Sequence, residues 1–223
     1  MPRRSRSARQ RRPRKLSPRF IVACEGRKTE YNYFSVLNQR FTGRLRAALV
    51  PVADTGGTAV DVVTRASRKR DADERDGKFR PSEGDRVYAI LDVEPHDASK
   101  AQPLSDALQL AQKEGVRVLL SNPSFEVWLL CHVAEASELR RVFWTPSDAD
   151  ALLKKKSKGG KEELNRDTRR YATLLAKVHE AVTVAREVHE KHHGNCADLR
   201  KANACTEVYR LVGYLLGQTD TAP

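Results

Sequence analysis

The 223-residue chain has only four cysteines, Cys24, Cys131, Cys196 and Cys205, and no Cys-x-x-Cys pair among them. That excludes a zinc ribbon or a dithiol redox motif and leaves reduced, mostly buried thiols as the reading. His189, His192 and His193 lie near Cys196 and Cys205. Their spacing fits no closed zinc motif, and a solvated helix end accounts for them. The glycine pair Gly56-Gly57 lacks the Walker lysine pattern, which argues against nucleoside-triphosphate hydrolysis. There is no internal repeat and no apolar run long enough to span a bilayer, and the N-terminal segment lacks the apolar core of a signal peptide. A cytoplasmic protein with no membrane partner is expected. Acid is also missing from residues 1 to 19, which hold nine of the 41 Lys and Arg. The formal charge of +12 therefore resides mainly in a basic tail, expected to be disordered over residues 1–18, while the body is nearly neutral. Such a tail attracts any polyanion by counterion release and supports a nucleic-acid partner without identifying one.

What is present is organised around Phe20-Ile21-Val22-Ala23-Cys24-Glu25-Gly26, an uncharged run that ends in a carboxylate and a glycine. It reads as a buried strand and a tight turn, followed by a helix to about Arg40 with Thr29 as N-cap and Tyr31, Phe34 and Leu37 at helical spacing. A second strand falls within residues 46–52, and a helix with Val60, Val63 and Ala66 on one side follows the Gly-Gly turn. Residues 71–85, charged and interrupted by Gly77, Pro81 and Gly84, read as an exposed loop. Val87 to Leu91 is a third strand that delivers Asp92 and Glu94. A helix over about 102–114 ends at Gly115, and a fourth strand over 116–120 runs through Asn122-Pro123-Ser124-Phe125-Glu126 into another helix. Strand signals stop near residue 147. Beyond it come a basic connector over 154–161, one long amphipathic helix marked by Leu174 to Val188, and a last helix from Val208 to Leu216.

Alternating strands and helices imply an α/β fold with a parallel sheet, and ligands of such sheets bind at the carboxyl ends of the strands. Glu25, Asp92 and Glu94 fall there, and Glu126 is a second-tier candidate, since the first turn of a helix favours a carboxylate regardless of function. Carboxylates gathered so closely repel, and a hard cation such as Mg²⁺ or Mn²⁺ relieves the repulsion and supplies phosphodiester chemistry. For Asp92 or Glu94 taken alone, an exposed acidic turn explains as much. Asn122 could touch substrate, and Ser124 reads as a helix cap. His96 is a second-tier proton relay or phosphate contact, and Phe125 and Trp128 read as core. Lys28, Lys158 and Lys161 are candidate nucleic-acid contacts.

Three ordered motifs carry a family resemblance: Cys24-Glu25-Gly26-x-x-Thr29-Glu30-x-x-Tyr33-Phe34, Leu91-Asp92-x-Glu94-x-His96, and Asn122-Pro123-Ser124-Phe125-Glu126-x-Trp128-Leu129-Leu130. Over roughly residues 18 to 216 the chain resembles the RloB family of TOPRIM-fold proteins. The resemblance implies that Glu25 is the TOPRIM glutamate and that Asp92 and Glu94 fill the two acidic metal positions; Glu30, within the first motif, is a second-tier candidate. It also implies a metal-dependent nuclease acting on DNA or RNA, with a role in bacterial defence against phage and with other defence-locus proteins as partners. Two positions depart from the family pattern: Glu94 stands where an aspartate is usual, and Asn203-Ala204-Cys205-Thr206 lacks the proline of Asn-Pro-x-Thr. The expected architecture is a TOPRIM-like α/β domain over 19–146 with flanking helices, and a helical C-terminal extension over 147–218 packed on it. The alternative from another class is a non-catalytic nucleic-acid or partner-binding module whose acidic site is degenerate.

Overall fold

The computed structural model describes residues 17–53, 57–94, 97–139, 143, 145–157, 159–192 and 203–223, so the basic tail lies outside the described residues as far as residue 16. The two strands with the longest uncharged runs, β1 (Arg19–Cys24) and β3 (Arg86–Asp92), lie side by side near the middle of a five-stranded sheet. With β2 at Ala48–Pro51, β4 at Arg117–Asn122 and β5 at Cys205–Thr206, the order is β2-β1-β3-β4-β5. The first four strands are parallel, as the alternation of elements implies, and the protein has an α/β fold. The fifth corrects the expectation that strands cease near residue 147: β5 runs antiparallel to β4, with Asn122 opposite Cys205 and Ser121 opposite Thr206. Two residues are too short to carry a periodicity. Pairing holds β5 instead, through a 2.8 Å bond between the Ser121 and Thr206 hydroxyls and a 2.8 Å bond from Glu207 N–H to the Leu120 carbonyl.

Alternate residues of β1 serve two cores. Phe20, Val22 and Cys24 pack with α1 (Thr29–Arg40), whereas Ile21 and Ala23 pack with α2 (Ala59–Arg75) and α3 (Ala98–Glu114). The chain thus crosses one face after β1 and the other after β2 and β3, so strand order reverses between β1 and β3. A crevice opens at such a switch point, outside the carboxyl ends of the strands.

Helix limits follow their caps. Thr58 and Asp61 form a capping box that starts α2, and the helix runs to Arg75, into the stretch expected to be loop. The reason is Asp73 on its inner side, 2% exposed and paired with Arg19 at 2.9 Å and Lys69 at 2.6 Å. Helix α3 begins earlier than expected because the Asp97 carboxylate accepts the Ser99 N–H at 3.0 Å, and it ends at Gly115 with φ 64°. Thr29 does not cap α1. Lys28 stands at that position, and the Thr29 hydroxyl accepts a 2.8 Å bond from the Asn165 amide.

The C-terminal half holds α4 (Glu126–Leu130), α5 (Pro146–Ser157), α6 (Gly160–Arg166), α7 (Arg169–Leu175), α8 (Val178–His192) and α9 (Val208–Leu215). The long helix expected across 174–188 is divided between α7 and α8. The basic connector is the last turn of α5, then Gly159 with φ 142°, then the start of α6. The apolar sides of these helices join the same core as α1. Among the described residues, no helix is long and apolar enough to cross a membrane.

Candidate functional site

Each acidic residue of the crevice is placed by the strand that precedes it. Glu25 follows the last residue of β1, and its Oε2 accepts the Asp92 N–H at 3.2 Å from the neighbouring strand. Asp92 ends β3, and its Oδ1 accepts the Phe125 N–H at 3.0 Å from the chain leaving β4. Glu94 lies two residues on, its N–H bonded to the Pro123 carbonyl at 3.0 Å and its backbone in the left-handed region at φ 43°. Hydrogen bonds from backbone N–H groups, two to carboxylates and one to a carbonyl, thus lock three strand ends together at the switch point. A left-handed conformation in a residue other than glycine costs of order 1 kcal/mol and is concentrated at functional sites.

Two further carboxylates stand behind these. Glu30, 5% exposed, folds back from the first turn of α1 so that its Oε1 accepts the Gly26 N–H at 2.9 Å. A Cβ on Gly26 would lie 2.0 Å from Glu30 Oε2, so any side chain there would displace the Glu30 carboxylate from this position. Glu126, 6% exposed, begins α4, accepts the Ser124 hydroxyl at 2.5 Å and pairs with Lys161 Nζ at 2.7 Å. Ser124 therefore serves this carboxylate and is not the cap of α4.

Loss of solvent and mutual repulsion act in the same direction on Asp92, Glu30 and Glu25. Desolvation raises the pKa of Asp92 well above the carboxylate range, and the charges of Glu30, Glu126, Glu25 and Glu94 add to it. Glu30 is pushed up to about 7, first by burial and then by Glu126 and Glu25, against its bond from Gly26. Desolvation raises Glu25 as well, opposed by the Asp92 N–H and by Lys100.

The Lys100 ammonium lies 3.4 Å from Glu25 Oε1 and 3.5 Å from Glu94 Oε1. Despite partial burial, these two carboxylates raise its pKa. Glu25, Asp92 and Lys100 line one cavity of about 220 Å³ with Gly57, Thr58, Ala59, Ser99, Pro103 and Leu104. Sequence reasoning missed Lys100. Its one local signal is a cation in the first turn of a helix, where the macrodipole disfavours it.

The other expected residues are distributed differently. Asn122 is fully buried at the end of β4, and Phe125 and Trp128 are core. Lys28 is exposed beside the Glu25 turn. Lys161 is committed to Glu126, while His96 and Lys158 lie outside the described residues. At the far end of the sheet, His189 Nδ1 is 3.1 Å from Cys205 Sγ, and His193 and Cys196 lie outside the described residues. Among the described residues, no three His, Cys, Asp or Glu side chains converge as metal ligands. In the crevice the position between Glu25 and Glu94 belongs to the Lys100 ammonium. The donors themselves suit a hard divalent cation, since they are all oxygen and carry surplus negative charge.

Glu30→Gln keeps the acceptor for Gly26 and removes the charge. Because the folded-state pKa of Glu30 lies above the unfolded value, wild-type stability falls as pH rises from about 4.5 through about 7. The variant should therefore match wild type near pH 4.5 and exceed it at pH 8 by roughly 2–3 kcal/mol. Urea denaturation at the two pH values measures this, and an equal difference at both would show that Glu30 carries no raised pKa.

No curated protein and no solved structure matches the chain. The model of the family described as RloB-like protein matches residues 20–215, a span that contains all five carboxylates, both lysines paired with them and every strand from Phe20 onward. The chain belongs to the RloB-like protein family.

Proposed function

We propose that this chain is a divalent-cation-dependent nuclease of the TOPRIM type, hydrolysing phosphodiester bonds of DNA or RNA in the cytoplasm as part of bacterial defence against phage. The observation that carries this reading is the electrostatic influence of Glu30, Glu126, Glu25 and Glu94 on Asp92 at one switch point, where Asp92 is held strongly against ionisation. Neutral residues in place of such carboxylates would make the metal-free fold more stable, so a cluster of this kind fits a ligand of opposite charge. Glu25, Asp92 and Glu94 would hold Mg²⁺ or Mn²⁺. When bound, such a cation supplies Lewis-acid polarisation of a phosphoryl oxygen and a nucleophile at neutral pH. The chain's own contribution is positioning: the Phe125 N–H fixes Asp92, the Asp92 N–H fixes Glu25, and the Pro123 carbonyl fixes Glu94. The cavity beside them offers room for a phosphate and part of its sugar.

Purified protein with Mn²⁺ should cleave labelled single- or double-stranded DNA or RNA, and EDTA should abolish cleavage. Cleavage that persists in EDTA would overturn the mechanism. The pairing of Lys100 and Lys161 within the cluster favours a second reading, a binding module whose acidic site is already neutralised. That reading predicts no turnover with any metal, and nucleic-acid binding that weakens steeply with salt and vanishes when residues 1–18 are deleted.

A further inference from the structure

Two lysines reach the acidic cluster, and their ammonium groups are held at different distances. Lys161 is built in. Its backbone N–H donates to Asp150 Oδ1 at 3.0 Å, its ammonium meets Glu126 at 2.7 Å, and Asp150 is itself buried at 5% exposure. The approach to it is tight, since a Cβ on Gly160, with φ 61°, would lie 2.8 Å from Asp150 Oδ1. Lys100 is anchored through its backbone, whose N–H donates to the Asp97 carbonyl at 2.9 Å, and its ammonium is held more loosely. The two side chains are equally exposed, at 39% and 38%, and the difference lies in the contacts: those of Lys100 on the cavity wall, at 3.4 and 3.5 Å, exceed the roughly 2.8 Å of a well-formed ammonium–carboxylate bond that Lys161 approaches. Lys100 also occupies the first turn of α3 against the helix dipole, so its helix does not account for its place. What attracts it is the charge of Glu25 and Glu94, two of the three carboxylates that the nuclease reading assigns to the cation.

We propose that Lys100 is an exchangeable counter-ion: its ammonium stands between Glu25 and Glu94 where a divalent cation binds, holds the carboxylates together before the cation arrives, and yields to it, while Lys161 remains on Glu126. The inference rests on the cation reading of the cluster. The exchange is favoured because a second positive charge is added among the same oxygens while the flexible lysine stem swings to solvent along the open cavity. Cation affinity is thereby set as a competition. Removing the ammonium leaves the carboxylates unneutralised and must tighten binding, whereas a change at Lys161 acts from the other side of Glu126.

The test is Mn²⁺ binding to the full chain, free of nucleic acid, by isothermal titration calorimetry and by the Mn²⁺-induced rise in Tm. Lys100→Met and Lys100→Gln should each bind Mn²⁺ about tenfold more tightly than wild type and show a larger Mn²⁺-induced rise in Tm. Lys100→Arg should bind no more tightly than wild type, and Lys161→Met should change affinity less than threefold. Both neutral variants are read because either alone could fold poorly. If wild type binds Mn²⁺ and the folded neutral variants bind it equally or more weakly, the counter-ion role is overturned while the cation reading stands. If neither wild type nor any variant binds Mn²⁺, both are overturned together.

Discussion

Asp92→Asn should lower phosphodiester hydrolysis by roughly a thousandfold or more while making the metal-free protein more stable than wild type. The two effects have one cause. Asp92 lies at the centre of the cluster, and its pKa is raised by loss of solvent and by four neighbouring carboxylates. A group whose folded-state pKa exceeds its unfolded value costs the fold stability, nothing below the unfolded pKa and more as pH rises from there toward the folded-state pKa. The amide keeps the oxygen that accepts the Phe125 N–H, removes the charge and adds donors toward the neighbouring carboxylates. At pH 8 in EDTA a gain of about 1–3 kcal/mol, or roughly 3–8 °C in Tm, is expected. Saturating Mn²⁺ should narrow or reverse the difference, because wild type gains binding energy that the variant cannot. Loss of activity with an unchanged or lowered Tm in EDTA would mean that Asp92 is not electrostatically strained and that the cluster is an ordinary acidic surface. Melting curves and cleavage assays on the same preparations measure both effects.

The centre of this site was legible because strand and chemistry coincide in sequence. Uncharged runs such as Phe20–Cys24 and Val87–Leu91 declare buried strands, and the first carboxylate after each must fall at the carboxyl end of a parallel sheet. Glu126 was legible for the same reason, one turn beyond β4. The pairing of Lys100 and Lys161 with these carboxylates was not. Nothing near Lys100 in sequence shows that α3 starts against the end of β1, because the juxtaposition comes from the reversal of strand order. Lys161 looked like part of a solvated connector since Lys154 to Lys161 is charged and carries two glycines. In the fold those glycines, at φ 142° and 61°, turn the chain so that α6 returns to Glu126 and so that Asn165 reaches Thr29. Strand β5 left no pattern at all: only tertiary pairing with Ser121 and Asn122 makes Cys205 and Thr206 a strand.

A fragment ending at residue 144 should fail to fold, although it contains four of the five strands and all five carboxylates. One face of β1 and β3, with Phe20, Val22, Tyr88 and Ile90, shares a continuous core with helices α5 to α9. Leu153, Tyr171, Leu175, Val182, Leu211 and Leu215 from those helices are each at most 1% exposed. At about 1.5–3 kcal/mol for each buried apolar side chain, these six alone contribute roughly 9–18 kcal/mol. That is as large as the whole stability of a typical domain, about 5–15 kcal/mol. Cutting at residue 144 would also uncover β4 along an open edge, since β5 is its outer neighbour, and would expose Trp128, Phe34 and Leu37 as one apolar patch. The expected outcome is aggregation on expression, or a circular dichroism melt without a cooperative transition. A point change separates packing from chain length: Leu211→Ala in the full chain should cost about 2–5 kcal/mol by urea denaturation and leave the topology intact. A soluble 1–144 fragment that melts cooperatively and binds Mn²⁺ would show instead that the sheet and its acidic edge form a domain of their own, with the helices from α5 onward as an accessory.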